Sequence, residues 1–332
     1  MEQLKKYSFI LMMLTLVYSP SYAEGIYKGT LVDAHSQKGN LISVEKLSAA
    51  INANGVNHTL LSFRISARKI KEELLAIQKL TNGKVSYLIP TKGGGFANVG
   101  SRDGEVIGTI TALQRQSAND NLNHVGFGEI LVQHAPHNHT KLKYEGMNLN
   151  LESQRIKKAI QVVINDNKPV ILHVELNDYE SDSKRILEQL VSLSEEYPDS
   201  NFLLIHMGQI DFSEAEFLIK NTKNIHFLTS HSDYSKKSLR KLEGKGQTGW
   251  INLFKKNTNI LKKKWHRLMN ENPKRFVFAL DNVFDGHWLY RYKGQVSKWR
   301  KALGSLDKKS ASLIACGNSN EYFKLDIECL SE

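Results

Sequence analysis

Five side chains that bind metals well stand at or near the ends of apolar runs. They are His35 in LVDAHSQ, Glu129 in HVGFGEI, His173 in PVILHVE, His206 in LLIHMG and Asp281 in FVFALDNVF. A polar group that interrupts an apolar run is costly to bury unless it is paired. Imidazole and carboxylate are also the usual non-sulfur ligands of zinc. Any one of these histidines alone reads as a satisfied core residue. Together, at five different run ends, the groups read as a metal site. A catalytic metal keeps an open position for water and lowers that water's pKa towards about 7. A carboxylate such as Asp281 is then suited to take the proton.

Something must bring these run ends together. Short β-rich runs alternate along the chain with helical patterns. Strands are expected in GTLVDAH, VNHTLLSFR, KVSYLIP, HVGFGEI, KPVILHVEL, NFLLIHMG, NIHFLTSHS and RFVFALDNVF. Helices are expected in SVEKLSAAINANG, ARKIKEELLAIQKLTNG, ESQRIKKAIQVVINDN, SKRILEQLVSLSEEYP and VSKWRKALGSL. The first two stop at Asn-Gly, a C-terminal signal. Parallel strands need crossover helices, so the order predicts an α/β fold, a (β/α)8 TIM barrel forming a single domain over residues 24–332. A doubly wound open sheet is the alternative. In such a barrel, chemistry is sited at the C-terminal strand ends.

Residues 1–23, MEQLKKYSFILMMLTLVYSPSYA, are expected to be a signal peptide. Lys5 and Lys6 precede an apolar run from Phe9 to Val17, too short to cross a bilayer, and Ser21 and Ala23 stand at −3 and −1 of a cleavage site. No cysteine follows the cut, so no lipid or other membrane anchor is expected. Export to the periplasm or the extracellular space follows. Cleavage removes two lysines and one glutamate, so the formal charge falls from +11 to +10. Much of the excess lies in KKNTNILKKKWHR and in Lys236, Lys237, Arg240 and Lys241. A solvated surface and attraction to anionic partners both fit that charge. Cys316 and Cys329 are the two cysteines. An oxidising compartment makes them a candidate bridge, though two cysteines do not fix their own geometry.

The run ends, taken in order, resemble the amidohydrolase superfamily, specifically its amidohydrolase-related branch. VDAHSQ resembles the strand-one Asp-x-His-x-His motif, VGFGEI the strand-four glutamate segment, and PVILHVE and LLIHMGQ strands five and six. FVFALDNVF stands where that family has Gly-Ser-Asp, and GNSNEYFKL resembles its closing segment. The resemblance spans about residues 29–325. It implies a metal-dependent barrel enzyme, with His173 and His206 as metal ligands. Asp281 is implied as the acid/base, in some members also a ligand. Glu129 matches a carboxylate that binds or bridges metal.

Gln37 departs from that pattern. Both strand-one histidines hold the more buried ion in members with two metals, and an amide replaces imidazole poorly on zinc. The resemblance therefore implies one divalent metal, zinc with manganese or iron as alternatives, on Glu129, His173 and His206. His35 and Gln37 would then hydrogen-bond near Asp281, with His35 assisting catalysis or joining the ligands.

The loops offer substrate contacts. PTKGGGFANVG exposes backbone N–H groups beside Lys92, which suits a carboxylate or phosphate, although it is not a phosphate-binding loop of the Walker type. QHAPHNH carries His134, His137 and His139, which read as a polar surface loop or as a substrate-facing loop or auxiliary metal site, with His137 the candidate substrate contact. Arg64 ends strand two and could hold an anion bidentately. Trp288, Tyr290 and Arg291 are candidates for a pocket wall.

These readings predict an exported metal-dependent hydrolase of an amide, ester, lactone or phosphoester in a small anionic molecule. A decarboxylase of the same branch, and a binding protein that has lost its metal, are the alternatives. A nuclease fits less well, since no aromatic stacking series accompanies the basic runs, and no specific nucleic-acid partner is expected. N-terminal sequencing of secreted material should begin at Glu24. An intact Met1 on cytoplasmic protein would overturn the export expectation.

Overall fold

In the computed structural model of this chain, the described residues are 25–91, 105–136, 146–176, 180–233 and 251–331. The expected signal peptide, Lys92 with its glycine loop, His137, His139 and the Lys236–Lys241 cluster lie outside them.

Eight strands carry the fold. They are β1 Val32–Gly39, β2 His58–Arg64, β3 Val85–Ile89, β4 in two pieces (His124–Phe127 and Ile130–Leu131), β5 Val170–His173, β6 Phe202–Leu204, β7 Ile225–Leu228 and β8 Phe276–Val277. β1, β2, β3 and the first piece of β4 pair in that order. The second piece pairs with β5, and β5 to β8 follow in order, all parallel. The two ends also meet. Ala34 N–H donates to the Phe278 carbonyl at 3.1 Å, Asp281 N–H to His35 at 2.8 Å and Gln37 N–H to Asn282 at 2.8 Å. The sheet is therefore a closed (β/α)8 barrel and not an open doubly wound one.

Each strand is followed by a helix among the described residues. The helix at Val44–Ala53 starts on Ser43, whose hydroxyl accepts from Lys46 N–H, and the one at Phe212–Asn221 starts on a reciprocal Asp211–Glu214 capping box. The expected Asn-Gly stops hold. Gly55 has φ +73, and Asn82 and Gly83 have φ 50 and 77 after the helix at Ala67–Leu80. Arg275 is buried without a carboxylate partner among the described residues. Its guanidinium donates to the carbonyls of Ile225, Ile219 and Thr222, which satisfies the end of the Phe212–Asn221 helix. None of the described helices is long and apolar enough to cross a membrane.

Several strand ends differ from the sequence reading. β1 runs past His35 to Gly39, with an irregular register between Asp33 and Ser36. β6 leaves the ladder at Leu204, and β8 keeps only two ladder residues. β4 breaks at Gly128 and Glu129, where the Glu129 carbonyl accepts from the Thr91 hydroxyl instead of a ladder partner. Each departure falls where a side chain must be re-aimed, a use to which bulges and strand breaks are often put.

The barrel interior is filled partly from the C-terminal segment. Ala34, Leu60, Leu88, Ile171, Leu203, Leu228, Val277 and Ala279 pack with Tyr322 and Phe323 from the helix Asn318–Phe323. A Cβ on Gly126 would come within 3.3 Å of the Phe323 ring. Asn318 holds this helix to β8, donating from its amide to the carbonyls of Pro273 and Phe276 at 2.8 and 2.7 Å.

Cys316 and Cys329 are joined, with Cα atoms 5.6 Å apart. The bridge ties the C-terminal strap to the segment at Cys316, and Thr30 holds the same strap by hydrogen bonds with Glu328 and Leu330. For a loop with a separation of 13 residues, reduction should cost about 3 kcal/mol on the chain-entropy model. Non-reducing peptide mapping should recover the joined pair, and a reductant should lower the melting temperature by several degrees. Two alkylatable thiols in freshly purified native protein would contradict the bridge.

Candidate metal centre at the barrel mouth

The C-terminal strand ends converge on a buried group of imidazoles and carboxylates. One ligand atom from each of Glu129, His173 and His206 lies within 4.8 Å of the others. His206, His231 and Asp281 form a second such group, and His134, His173 and Glu175 a third. All seven are buried.

Backbone shape aims several of them. His206, Met207, Gly208 and Gln209 follow β6 in a left-handed turn, with φ of 55, 59, 63 and 49. His231 after β7 and Asp281 after β8 are also left-handed, with φ of 55 and 50. Non-glycine residues pay for this conformation, and such residues cluster at functional sites.

Asp281 is shared by four neighbours. Its Oδ1 lies 3.2 Å from His35 Nδ1 and accepts from Gln37 Nε2 at 2.9 Å. Its Oδ2 lies 3.6 Å from His206 Nε2 and 4.0 Å from His231 Nε2. Burial disfavours the Asp281 charge, but the His35 contact outweighs it and holds the carboxyl below its usual range. His35 moves the other way. Burial opposes its charge, and Asp281 raises it on balance. The His35 contact has ion-pair distance without hydrogen-bond geometry, and His35 Nε2 is buried with no hydrogen-bond partner among the described residues. Gln37 also reaches Glu129 Oε1 at 3.5 Å, so one amide bridges both acids.

His173 stands between two carboxylates. Its Nδ1 is 2.6 Å from Glu129 Oε2 and its Nε2 is 2.8 Å from Glu175 Oε1. Burial works against its charge, but Glu129 and then Glu175 raise it to about 9. His206 behaves oppositely. Burial and the neighbouring His173 push it well below its ordinary value, and its Nδ1 meets the Ser230 hydroxyl at 3.0 Å. The rings form a chain, His134 stacked on His173 at 4.8 Å, His173 edge-on to His206 at 5.0 Å, and His206 stacked on His231 at 4.6 Å. Beneath this layer Asp33 accepts from Leu280 N–H and the Ser36 hydroxyl, and burial raises it to about 7.

The structure thus gathers His35, Gln37, Glu129, His173, His206 and Asp281 at one place. Arg64 ends β2 near the same acids, since Glu129 and Asp281 both favour its charge, and lies 5.8 Å from the Phe284 ring centre. Trp288 is placed differently. It is 1% exposed and its indole donates to the Gln37 carbonyl at 3.1 Å, so it braces the end of β1. Tyr290 is 85% exposed. His134, read as part of a polar loop, is buried against His173. Glu175 and His231 were not singled out from sequence. Glu175 lies two residues past His173, beyond the end of β5, and meets its Nε2. His231 follows an apolar run as the other histidines do, and that signal was available.

No protein-family model matches the sequence, and no curated protein does. Solved structures do match. A probable 2-pyrone-4,6-dicarboxylic acid hydrolase from Acinetobacter baumannii, with citric acid bound, gives a TM-score of 0.52 at 12% identity, over 89% of this chain and 100% of that one. An uncharacterized TIM-barrel protein from Bordetella bronchiseptica gives 0.52 at 11%, over 85% and 83%. An amidohydrolase from Burkholderia multivorans with bound zinc gives 0.50 at 10%, over 89% and 99%. Likeness at these identities shows the fold, the (β/α)8 barrel.

Trp288→Phe tests how β1 is braced. Leaving the buried Gln37 carbonyl without its donor should destabilise the fold by about 1–3 kcal/mol, read from urea unfolding. An unchanged unfolding midpoint would remove the indole hydrogen bond from this account.

Proposed function

We propose that this protein is a metal-dependent hydrolase that uses one divalent ion, with zinc the first candidate and manganese or iron next, to cleave a small anionic substrate. One observation carries the reading: Glu129, His173 and His206, from three successive strand ends, offer three buried donor atoms within 4.8 Å of one another. Donors each about 2.0–2.1 Å from a tetrahedral zinc stand roughly 3.4 Å apart, so small side-chain adjustments suffice. The donor chemistry fits. His206 is held neutral, the form that ligates. Buried carboxylates without compensating charge are costly, and a divalent cation supplies that charge.

When bound there, such an ion supplies an electrophile for the substrate oxygen and makes water acidic near neutral pH. The protein's own groups do the rest. Asp281 takes and returns the reacting proton on Oδ2, because His35 and Gln37 hold Oδ1. The Gln37 amide links Glu129 and Asp281 by donating towards both. Arg64 meets the anionic group of the substrate, a role that suits its place near the two acids at the end of β2. The hydrolase neighbour solved with citric acid, and the amidohydrolase neighbour with zinc, support this chemistry class. Export by the signal peptide at residues 1–23 would place the enzyme outside the cytoplasm.

Elemental analysis should find approximately one ion per chain. His173→Ala should remove most of it, since two remaining ligands hold an ion poorly. Asp281→Asn should keep the ion and lose about 10²–10⁴-fold in turnover of a model lactone, amide, ester or phosphoester. Gln37→Ala should leave the metal content nearly unchanged. No metal after supplementation would favour a binding protein. Two tightly held ions, one of them on Gln37, would refute the one-ion reading, as would full turnover by Asp281→Asn.

A further inference from the structure

An imidazole offers two nitrogens to a metal, and the hydrogen bond made by one decides which lone pair the other presents. His173 has a carboxylate at each. Nδ1 faces Glu129, and Nε2 faces Glu175 Oε1 at 2.8 Å. Glu175 is fully buried, two residues past the end of β5 at His173, with its carboxylate on the same side as that ring. Its other oxygen, Oε2, accepts from Ala135 N–H at 2.6 Å. Ala135 directly follows the short hairpin strand Gln133–His134, which pairs with Met147–Asn148, and His134 stacks on the His173 ring from that hairpin. The carboxylate is thus fixed at one end by backbone and aimed at Nε2 with the other.

We propose that Glu175 is a positioning residue: it keeps the proton of His173 on Nε2, turns Nδ1 towards Glu129 and His206, and so sets the affinity of the metal centre. This rests on the one-ion reading above. Geometry favours it over a second ion on His134, His173 and Glu175, because both Glu175 oxygens are already engaged, one by Ala135 N–H and the other at His173 Nε2. In a low-dielectric site the Nε2–Glu175 hydrogen bond also strengthens the donor at Nδ1.

The test uses purified full-length protein, with Zn²⁺ or Co²⁺ affinity measured by chelator competition and the ion counted per chain. Glu175→Gln has the same shape, but its amide cannot accept from both His173 Nε2 and Ala135 N–H. It should stay folded by circular dichroism, still bind one ion, and bind it about 10–100-fold more weakly. The visible bands of the cobalt-loaded protein should shift. Glu175→Asp keeps the charge on a shorter arm and should lose less, which also covers a failure of the first variant to fold. Wild-type affinity and an unshifted cobalt spectrum in both variants would overturn the proposal. So would two ions in the wild type falling to one in either variant, which would make Glu175 a ligand. His206→Ala separates this inference from its parent. If His206→Ala loses the ion while the Glu175 variants keep it at full strength, only the role of Glu175 fails. If His206→Ala binds as wild type, the one-ion centre itself fails.

Discussion

Asp281 is a carboxylate kept charged out of contact with bulk water, and the barrel mouth is organised around that requirement. His35 and Gln37 reach its Oδ1 from β1, while His206 and His231 face its Oδ2 from the turns after β6 and β7. The same residue pair also closes the barrel, because Asp281 N–H donates to the His35 carbonyl. First and last strands are therefore joined at the centre of the candidate site. Gln37 extends the link to Glu129, and through Glu129 to His173.

Holding this arrangement has a backbone cost. Left-handed φ at a non-glycine residue is unfavourable by roughly 1–2 kcal/mol. His206, Met207, Gln209, His231 and Asp281 all adopt it. Rigid packing beneath the site offsets the cost. Asp33 pins the Leu280 amide, and the interior layer is sealed from the other end by Tyr322 and Phe323. Asn318 and the disulfide hold that closing helix in place. A ligand arriving at the mouth meets side chains already aimed, so it need not supply the ordering energy.

The candidate metal-holding group and Arg64 lie on one rim, with β3 between their strands. β4, β5 and β6 supply Glu129, His173 and His206, while β2 supplies Arg64. In an eight-stranded barrel, neighbouring strand ends are the only parts of the chain close enough to converge without long loops. That is why residues far apart in sequence, such as Gln37 and Asp281, reach hydrogen-bonding distance.

The barrel was legible in the sequence because alternating apolar strands and amphipathic helices are local patterns. The polar groups at the run ends were legible for the same reason: His35, Glu129, His173, His206 and Asp281 break apolar runs in which a polar group needs a partner. Which partner each one has is a different kind of information. That Gln37 bridges two acids and that Trp288 braces β1 follow from how the strand ends are brought together. So does the burial of His134 against His173. The left-handed turn at His206 also escaped, since its neighbours Met207 and Gln209 are not residues that favour such φ. Local periodicity fixes which residues can be inside. Ring closure, the irregular register of β1, the break in β4 and the paired charges of the mouth decide which of them touch, because those contacts join positions as far apart as 251 residues.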